Sequence, residues 1–172
     1  MTDLAAADAG VRQLHARYTD AVWRQDADAF ARCFTPDGEW RISGLVLKGR
    51  REIGDTIGRI LDNFTRVLIT FRTPSLDVGN GVATGRTYID ERCAWKNGNT
   101  NISIGRYYER FVQDGPEWLF DWRLFELHYR GAPDMTGTFF DHPDLGPPPA
   151  MPPLDAHTED MATIRWKLPQ AG

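Results

Sequence analysis

Apolar side chains return at Val11, Leu14, Tyr18 and Val22, the spacing of one buried helix face, and that face carries a tyrosine hydroxyl. The polar stretch Arg24-Gln25-Asp26 ends it. Asp26 stands as the N-cap of a short second helix through Phe30 and Phe34. Thr35-Pro36-Asp37-Gly38 reads as a turn, and residues 39–42 and 46–49 as short strands. Residues 51–63 return to helical spacing, with Ile53, Ile57 and Ile60/Leu61 on one face. The period then falls to two over 65–78, 82–95, 100–113 and 118–129. Gly- and Asn-bearing breaks between these segments have the length of hairpin turns, which predicts a largely antiparallel, sequentially connected sheet. Helices first and a bent sheet afterwards make an α+β arrangement.

The chain changes character near residue 131. Residues 131–153 hold most of the prolines, with Phe139, Phe140 and His142 among them, and cannot form a regular helix or an interior strand. The expected organisation is a folded domain over 1–130 and a proline-rich tail over 131–172. That tail would cover the domain or a neighbouring subunit, with Phe139 or Phe140 at an edge of a pocket.

Composition narrows the function classes by exclusion. A net charge of −4 with no dense Lys/Arg cluster argues against a nucleic-acid partner. No apolar run approaches the roughly 18 residues of a membrane helix. The start of the chain also lacks a basic region followed by an apolar one, so neither a span nor a secretory leader is expected. Cys33 and Cys93, in predicted helix and strand, lack metal-ligand spacing and read as buried thiols of a cytoplasmic protein. His15, His128, His142 and His157 are scattered, so no metal site is expected. There is no phosphate-cradling glycine loop and no GxSxG, HExxH or CxxC motif, so any catalysis would use ordinary side chains without a cofactor. Six tryptophans in this length exceed what a core needs and suit a pocket for a flat, hydrophobic ligand.

The order helix, short helix, turn, strand over 11–42 resembles the opening of the SnoaL-like branch of the nuclear transport factor 2-like superfamily. The resemblance covers roughly residues 5–130 and implies a cone-shaped (cystatin-like) α+β fold: three N-terminal helices on a strongly bent, mostly antiparallel sheet, with a pocket at the open end. Dehydratases and dehydrochlorinases of this type carry Tyr or Lys on the first helix and an acid five residues later. Here these places hold Tyr18 and Trp23, and the stretch 66–72, where a partner histidine usually follows, contains none. The usual Asp–His dyad is missing from those places. The family arginine on the final strand falls on Arg123, grouped by alternation with Phe125 and Leu127. A guanidinium between apolar walls suits a carboxylate, phenolate or developing oxyanion; an ion pair with Asp90 or Asp121 is the other role open to it.

A replacement acid is offered by the next strand, where Arg86, Tyr88, Asp90 and Arg92 share a face. The family match sets Tyr88 and Asp90 toward the cone interior. The alternative is a solvated or subunit-facing charge row. Ile104 matches a pocket-wall position and shares a face with Arg106, which is a second candidate anion contact or a surface charge. The expected catalytic set is therefore Tyr18, Asp90 and Arg123. Trp40, Phe64, Tyr88, Ile104, Arg106, Phe125 and Phe140 are the expected substrate contacts. They suggest a cofactor-independent lyase, by retro-aldol cleavage or C–O elimination, acting on a small hydroxylated aromatic or alicyclic compound, a lignin-like diaryl compound being one candidate. A ketosteroid-isomerase-like isomerase or polyketide cyclase is the alternative enzyme, and a non-catalytic ligand-binding module the alternative outside enzymes. All three readings expect a homo-oligomer, dimer or trimer, because the outer face of such a sheet needs cover.

Overall fold

Helix α1 (Leu4–Trp23) starts at Asp3, whose carboxylate accepts the Ala5 N–H, and buries Val11, Leu14, His15, Tyr18 and Val22 on one side. The computed structural model describes residues 3–157. Asp26 caps α2 (Ala27–Ala31) by accepting the Ala29 N–H at 2.8 Å, as its place in the sequence implies. Strands β1 (Phe34–Ile42) and β2 (Leu45–Lys48) form a hairpin, and α3 (Arg50–Leu61) follows. Five strands come next: β3 (Phe64–Phe71), β4 (Ser75–Gly79), β5 (Val82–Trp95), β6 (Thr100–Asp114) and β7 (Glu117–Gly131). The two-residue strand β8 (Thr138–Phe139) pairs with β7.

The strands make one strongly curved sheet of eight, in the order β2-β1-β7-β6-β5-β3, with β4 on β5 and β8 on β7. Among the described residues all pairings are antiparallel except β1 with β7. The helices pack on its concave face, where Leu14, Phe30, Phe34, Ile53, Phe111 and Phe120 are almost wholly buried in one core.

Three local expectations change. The segment 65–78 is two strands, because Pro74 has no N–H to give the ladder, and both pieces pair with β5. The stretch 35–38 lies inside β1 as an irregularity: register moves from Phe34↔Phe120 to Glu39↔Trp122, so β1 spends five residues where β7 spends two. Cys33 sits in the turn after α2 and not within it. The β1–β2 connection is Ser43-Gly44, both at positive φ (57° and 78°), the backbone that a two-residue hairpin requires. Gly105 marks a bulge between β6 and β7, where a Cβ would come within 2.4 Å of the Glu126 carbonyl.

Candidate functional site

The core leaves a cavity of about 370 Å³ between the helices and the concave face. Val22, Phe30, Trp40, Ile57, Leu61 and Phe64 form much of its wall. Among the described residues, its polar lining is Tyr18, Ser43, Glu91, Cys93, Tyr107 and Arg130. Small apolar ligands are held in enclosures of this size and character, oriented by a few polar groups.

Tyr18 of α1 and Tyr107 of β6 meet at this wall with their hydroxyls close enough to influence each other; burial pushes both hydroxyls up, that of Tyr18 far up. Both therefore stay protonated near neutrality and can donate, but neither is a ready base. Behind them lies the Arg123 guanidinium, wholly buried, 4.5 Å from the Tyr18 ring centre, 3.7 Å from that of Tyr107 and 4.0 Å from that of Phe120. Its counter-ion is Glu109 on β6, whose Oε1 is 2.9 Å from Nε and 2.8 Å from Nη2. His15 Nε2 contacts both Glu109 oxygens at 3.1 and 3.2 Å, and the Thr87 hydroxyl donates to Oε2 at 2.7 Å. Burial alone would raise the Glu109 carboxyl. The charges of His15 and Arg123 and the hydrogen bonds from His15 and Thr87 outweigh it and hold the group at about 2.

Glu91 on β5 brings the one carboxylate on the cavity wall among the described residues. Desolvation raises it, while the Cys93 thiol, 3.3 Å from Oε1, and the nearby Arg130 cation work in the other direction. Its charge is felt at Tyr107. Arg130 Nε lies 3.4 Å from Ser103 Oγ, which also accepts from Asn101, and Asn101 accepts the Trp95 indole N–H at 2.7 Å. This chain runs across β5, β6 and β7 beside the carboxylate.

The expected site residues divide between the two faces. Tyr18, Trp40 and Phe64 line the cavity. Arg123 points to the same side but sits behind the tyrosines, paired with neither Asp90 nor Asp121; those acids bind Arg72 at 2.5 Å and Arg110 at 2.9 Å. Phe125 packs against Tyr107 with the rings tilted, 4.9 Å between centres, from outside the lining. Asp90 and Tyr88 project from the opposite face, where Tyr88 is 43% exposed. Ile104, the register partner of Asp90, lies on that outer face too, and so does Arg106, which pairs with Glu126 at 2.5 Å. Phe140 lies along β7, its N–H bonded to the His128 carbonyl, and is not part of the lining. The correction is one of parity. Odd positions Ile89, Glu91, Cys93 and Trp95 face inward and even positions outward, and a one-residue offset exchanges every side chain. Polarity carried the signal: the even row Arg86, Tyr88, Asp90, Arg92 is the more charged.

A carboxylate–imidazole pair does exist, as Glu109 with His15, but it is built from α1 and β6 and sits behind Tyr18. Trp23, where the related enzymes carry an acid, gives its indole N–H to the Ile69 carbonyl at 2.9 Å. Among the described residues no group of three or more His, Cys, Asp or Glu could hold a metal ion, and no helix is long and apolar enough to cross a membrane.

Residues 3–123 match the family model described as the SnoaL-like domain. No individually curated protein matches the sequence. Among solved structures, a protein of unknown function from Mycobacterium tuberculosis, Rv3472, is 26% identical over 69% of this chain and 74% of its own, with a TM-score of 0.64. A scytalone dehydratase-like protein from Novosphingobium aromaticivorans is 15% identical over 74% of this chain and 87% of its own, with a TM-score of 0.70. The type 3 hexachlorocyclohexane dehydrochlorinase LinA from Novosphingobium barchaimii is 17% identical over 81% of this chain and 97% of its own, with a TM-score of 0.67. At those identities the last two share the fold.

Proposed function

Because the chain belongs to the SnoaL-like family of the nuclear transport factor 2-like superfamily, we propose that it is a lyase-type enzyme working in the cavity described above. Glu91 is the base and the Tyr18–Tyr107 pair the acid. One observation carries this reading: among the described residues, one carboxylate raised by burial and two neighbouring phenols line the same apolar cavity. The substrate is a small, hydrophobic, hydroxylated aromatic or alicyclic compound, matched to walls such as Phe30, Trp40 and Phe64.

In a C–O elimination, ionised Glu91 takes the proton on the carbon beside a substrate carbonyl. The freed electron pair forms the C=C bond as the C–O bond breaks. The leaving oxygen takes a proton from the tyrosine pair and departs as water, and the Glu91 proton returns to the tyrosinate through solvent. Desolvation makes Glu91 a stronger base once ionised, and Arg130 favours the ionised form. Arg123 acts from behind: its cation against Tyr18 stabilises the tyrosinate that forms for an instant. Retro-aldol cleavage uses the same groups, with Glu91 taking a hydroxyl proton.

No histidine lines the cavity among the described residues, and a carboxylate with paired phenols also suits double-bond isomerisation. One assay separates the readings. With a panel of aryl β-hydroxy ketones and β,γ-unsaturated ketones, elimination gives a conjugated enone that has lost water, retro-aldol cleavage gives two smaller carbonyl compounds, and isomerisation turns the unsaturated ketones into conjugated enones of unchanged mass. Glu91→Gln should lower turnover by about 100-fold or more while ligand still quenches tryptophan fluorescence. Turnover at the wild-type rate in that variant would remove Glu91 from the mechanism. A ligand that binds wild-type protein and is never turned over would favour a binding module.

A further inference from the structure

The convex face of the sheet is covered by the chain itself. After β8, the Phe140 N–H bonds the His128 carbonyl and His142 Nε2 lies 2.7 Å from the Leu127 carbonyl. The segment then crosses the strands outward: Arg106 Nη2 reaches the Pro143 carbonyl at 3.5 Å and Arg86 Nη2 the Gly146 carbonyl at 3.1 Å. It turns at Pro147–Ala150, where the Ala150 N–H bonds the Pro147 carbonyl, and comes back. On the return, the Trp122 indole N–H donates to Leu154 at 2.9 Å, and Arg41 Nη1 donates to Asp155 and Ala156 at 2.7 and 2.9 Å. Met151 and Ala156 cover Tyr108, Trp122 and Leu124, a small apolar cluster separate from the main core.

The chemistry of the two partners is complementary. A proline has no N–H, so a segment rich in proline presents carbonyl oxygens that need donors. From Arg106 to Arg41, the face supplies donors to these carbonyls: Arg41, Arg86 and Arg106 and one tryptophan. Residues 138–157 contain Asp141, Asp144 and Asp155 and no Lys or Arg, while Arg41 and Arg106 on the face also pair with Glu39 and Glu126, so the recognition runs through main-chain carbonyls. Main-chain carbonyls read by fixed side chains, with apolar residues between them, are how extended segments are recognised by other proteins.

We propose that this convex face is a docking surface for an extended, acidic, proline-rich segment, and that residues 140–157 occupy it in place of a partner subunit. The homo-oligomer expected from the sequence rested on this face being free. With the strap seated, Trp122, Leu124 and Tyr108 are withdrawn from any second copy, and copies of the chain do not pair sheet to sheet. Without it, the exposed apolar cluster, ringed by arginines, associates with its own kind.

The test begins with the whole chain. A protease recognition sequence is inserted between Asp134 and Met135, in the exposed turn before β8, and cut only after folding. Mass in solution is measured by light scattering before cleavage, after cleavage, and after the fragment is washed away. The expected sequence is a monomer, then a monomer with the fragment still bound, then a species of higher mass. A synthetic 138–157 peptide should return the last to a one-to-one complex. Trp122→Phe keeps the ring and loses the bond to Leu154, so it should weaken that peptide about three- to tenfold. A dimer before cleavage whose mass cleavage does not change would overturn the proposal. So would a protein that stays monomeric once the fragment is gone, or a peptide that fails to rebind a domain whose circular dichroism is unchanged.

Discussion

Asp90 and Glu91 are adjacent residues of one strand, of nearly the same chemistry, with opposite fates. Asp90 faces outward and shares a surface ion pair with Arg72. Glu91 faces inward, half-buried on the cavity wall, and burial weakens its acidity. A third acid, Glu109, is buried as completely as a side chain can be and is nevertheless held at about 2. What separates the three is the company each keeps. Solvent screens the first, an apolar wall surrounds the second, and a fixed cation with two further hydrogen-bonding partners encloses the third. Burial by itself does not determine the charge on a carboxyl group; the compensation available after burial does.

The sharpest way to break this comparison is to remove the buried counter-ion. Glu109→Ala leaves Arg123 charged and enclosed by Tyr18, Tyr107 and Phe120, and should cost about 3–5 kcal/mol. For a domain of this size that lowers the melting temperature by roughly 6–20 °C, read by calorimetry. Next comes Glu91→Gln, which should abolish turnover yet leave the melting temperature equal to or above that of wild type, because a desolvated carboxylate gives way to a neutral amide. A variant that loses stability and activity together would make Glu91 structural.

Acid titration sharpens the contrast further, because the two buried acids act with opposite sign. Glu109 is lower in the fold than its ordinary 4.5. Its contribution is therefore complete above pH 4.5 and lost as pH falls through about 2. Glu91 is raised in the fold, so its contribution is present below its ordinary value and lost as pH rises through the folded one. Urea midpoints across this range should show the upward limb disappear in Glu91→Gln and the acid loss flatten in Glu109→Gln. The smallest effect belongs to Asp90→Asn: breaking one exposed pair should shift stability by less than about 1 kcal/mol and leave turnover unchanged. A large loss of turnover there would mean that the outer face of β5 takes part in the chemistry.

How far the sequence could be read follows from the same residues. The helix face Val11-Leu14-Tyr18-Val22, the cap at Asp26 and the breaks between β5, β6 and β7 are local, and local spacing locates them. The α+β class and the family resemblance rest on such signals. Which pleat of β5 faces the helices is not local, since alternation defines two faces without saying which is concave. The more charged even row carries the answer, and the family resemblance points the other way. The pairing of His15 with Glu109 joins residues 94 positions apart, and Arg123 meets Glu109 only because β6 and β7 lie side by side. Neither leaves a mark in spacing. The irregularity in β1 was hidden in a different way, since Pro36-Asp37-Gly38 has turn composition whether or not the strand continues through it.

The enclosure of Arg123 bears on how this protein can change over generations. Its charge is satisfied by one carboxylate, that carboxylate is satisfied in turn by an imidazole and a hydroxyl, and rings close the remaining sides. Lysine has no planar fork to lie between Tyr18 and Tyr107, and any single neutral replacement strands the partner. Replacing both at once, Glu109→Leu with Arg123→Met, would leave a core without the charge and without the penalty. Such a core lies across a valley that one-step substitution does not cross, so lineages descended from this sequence should keep the pair intact or lose it whole.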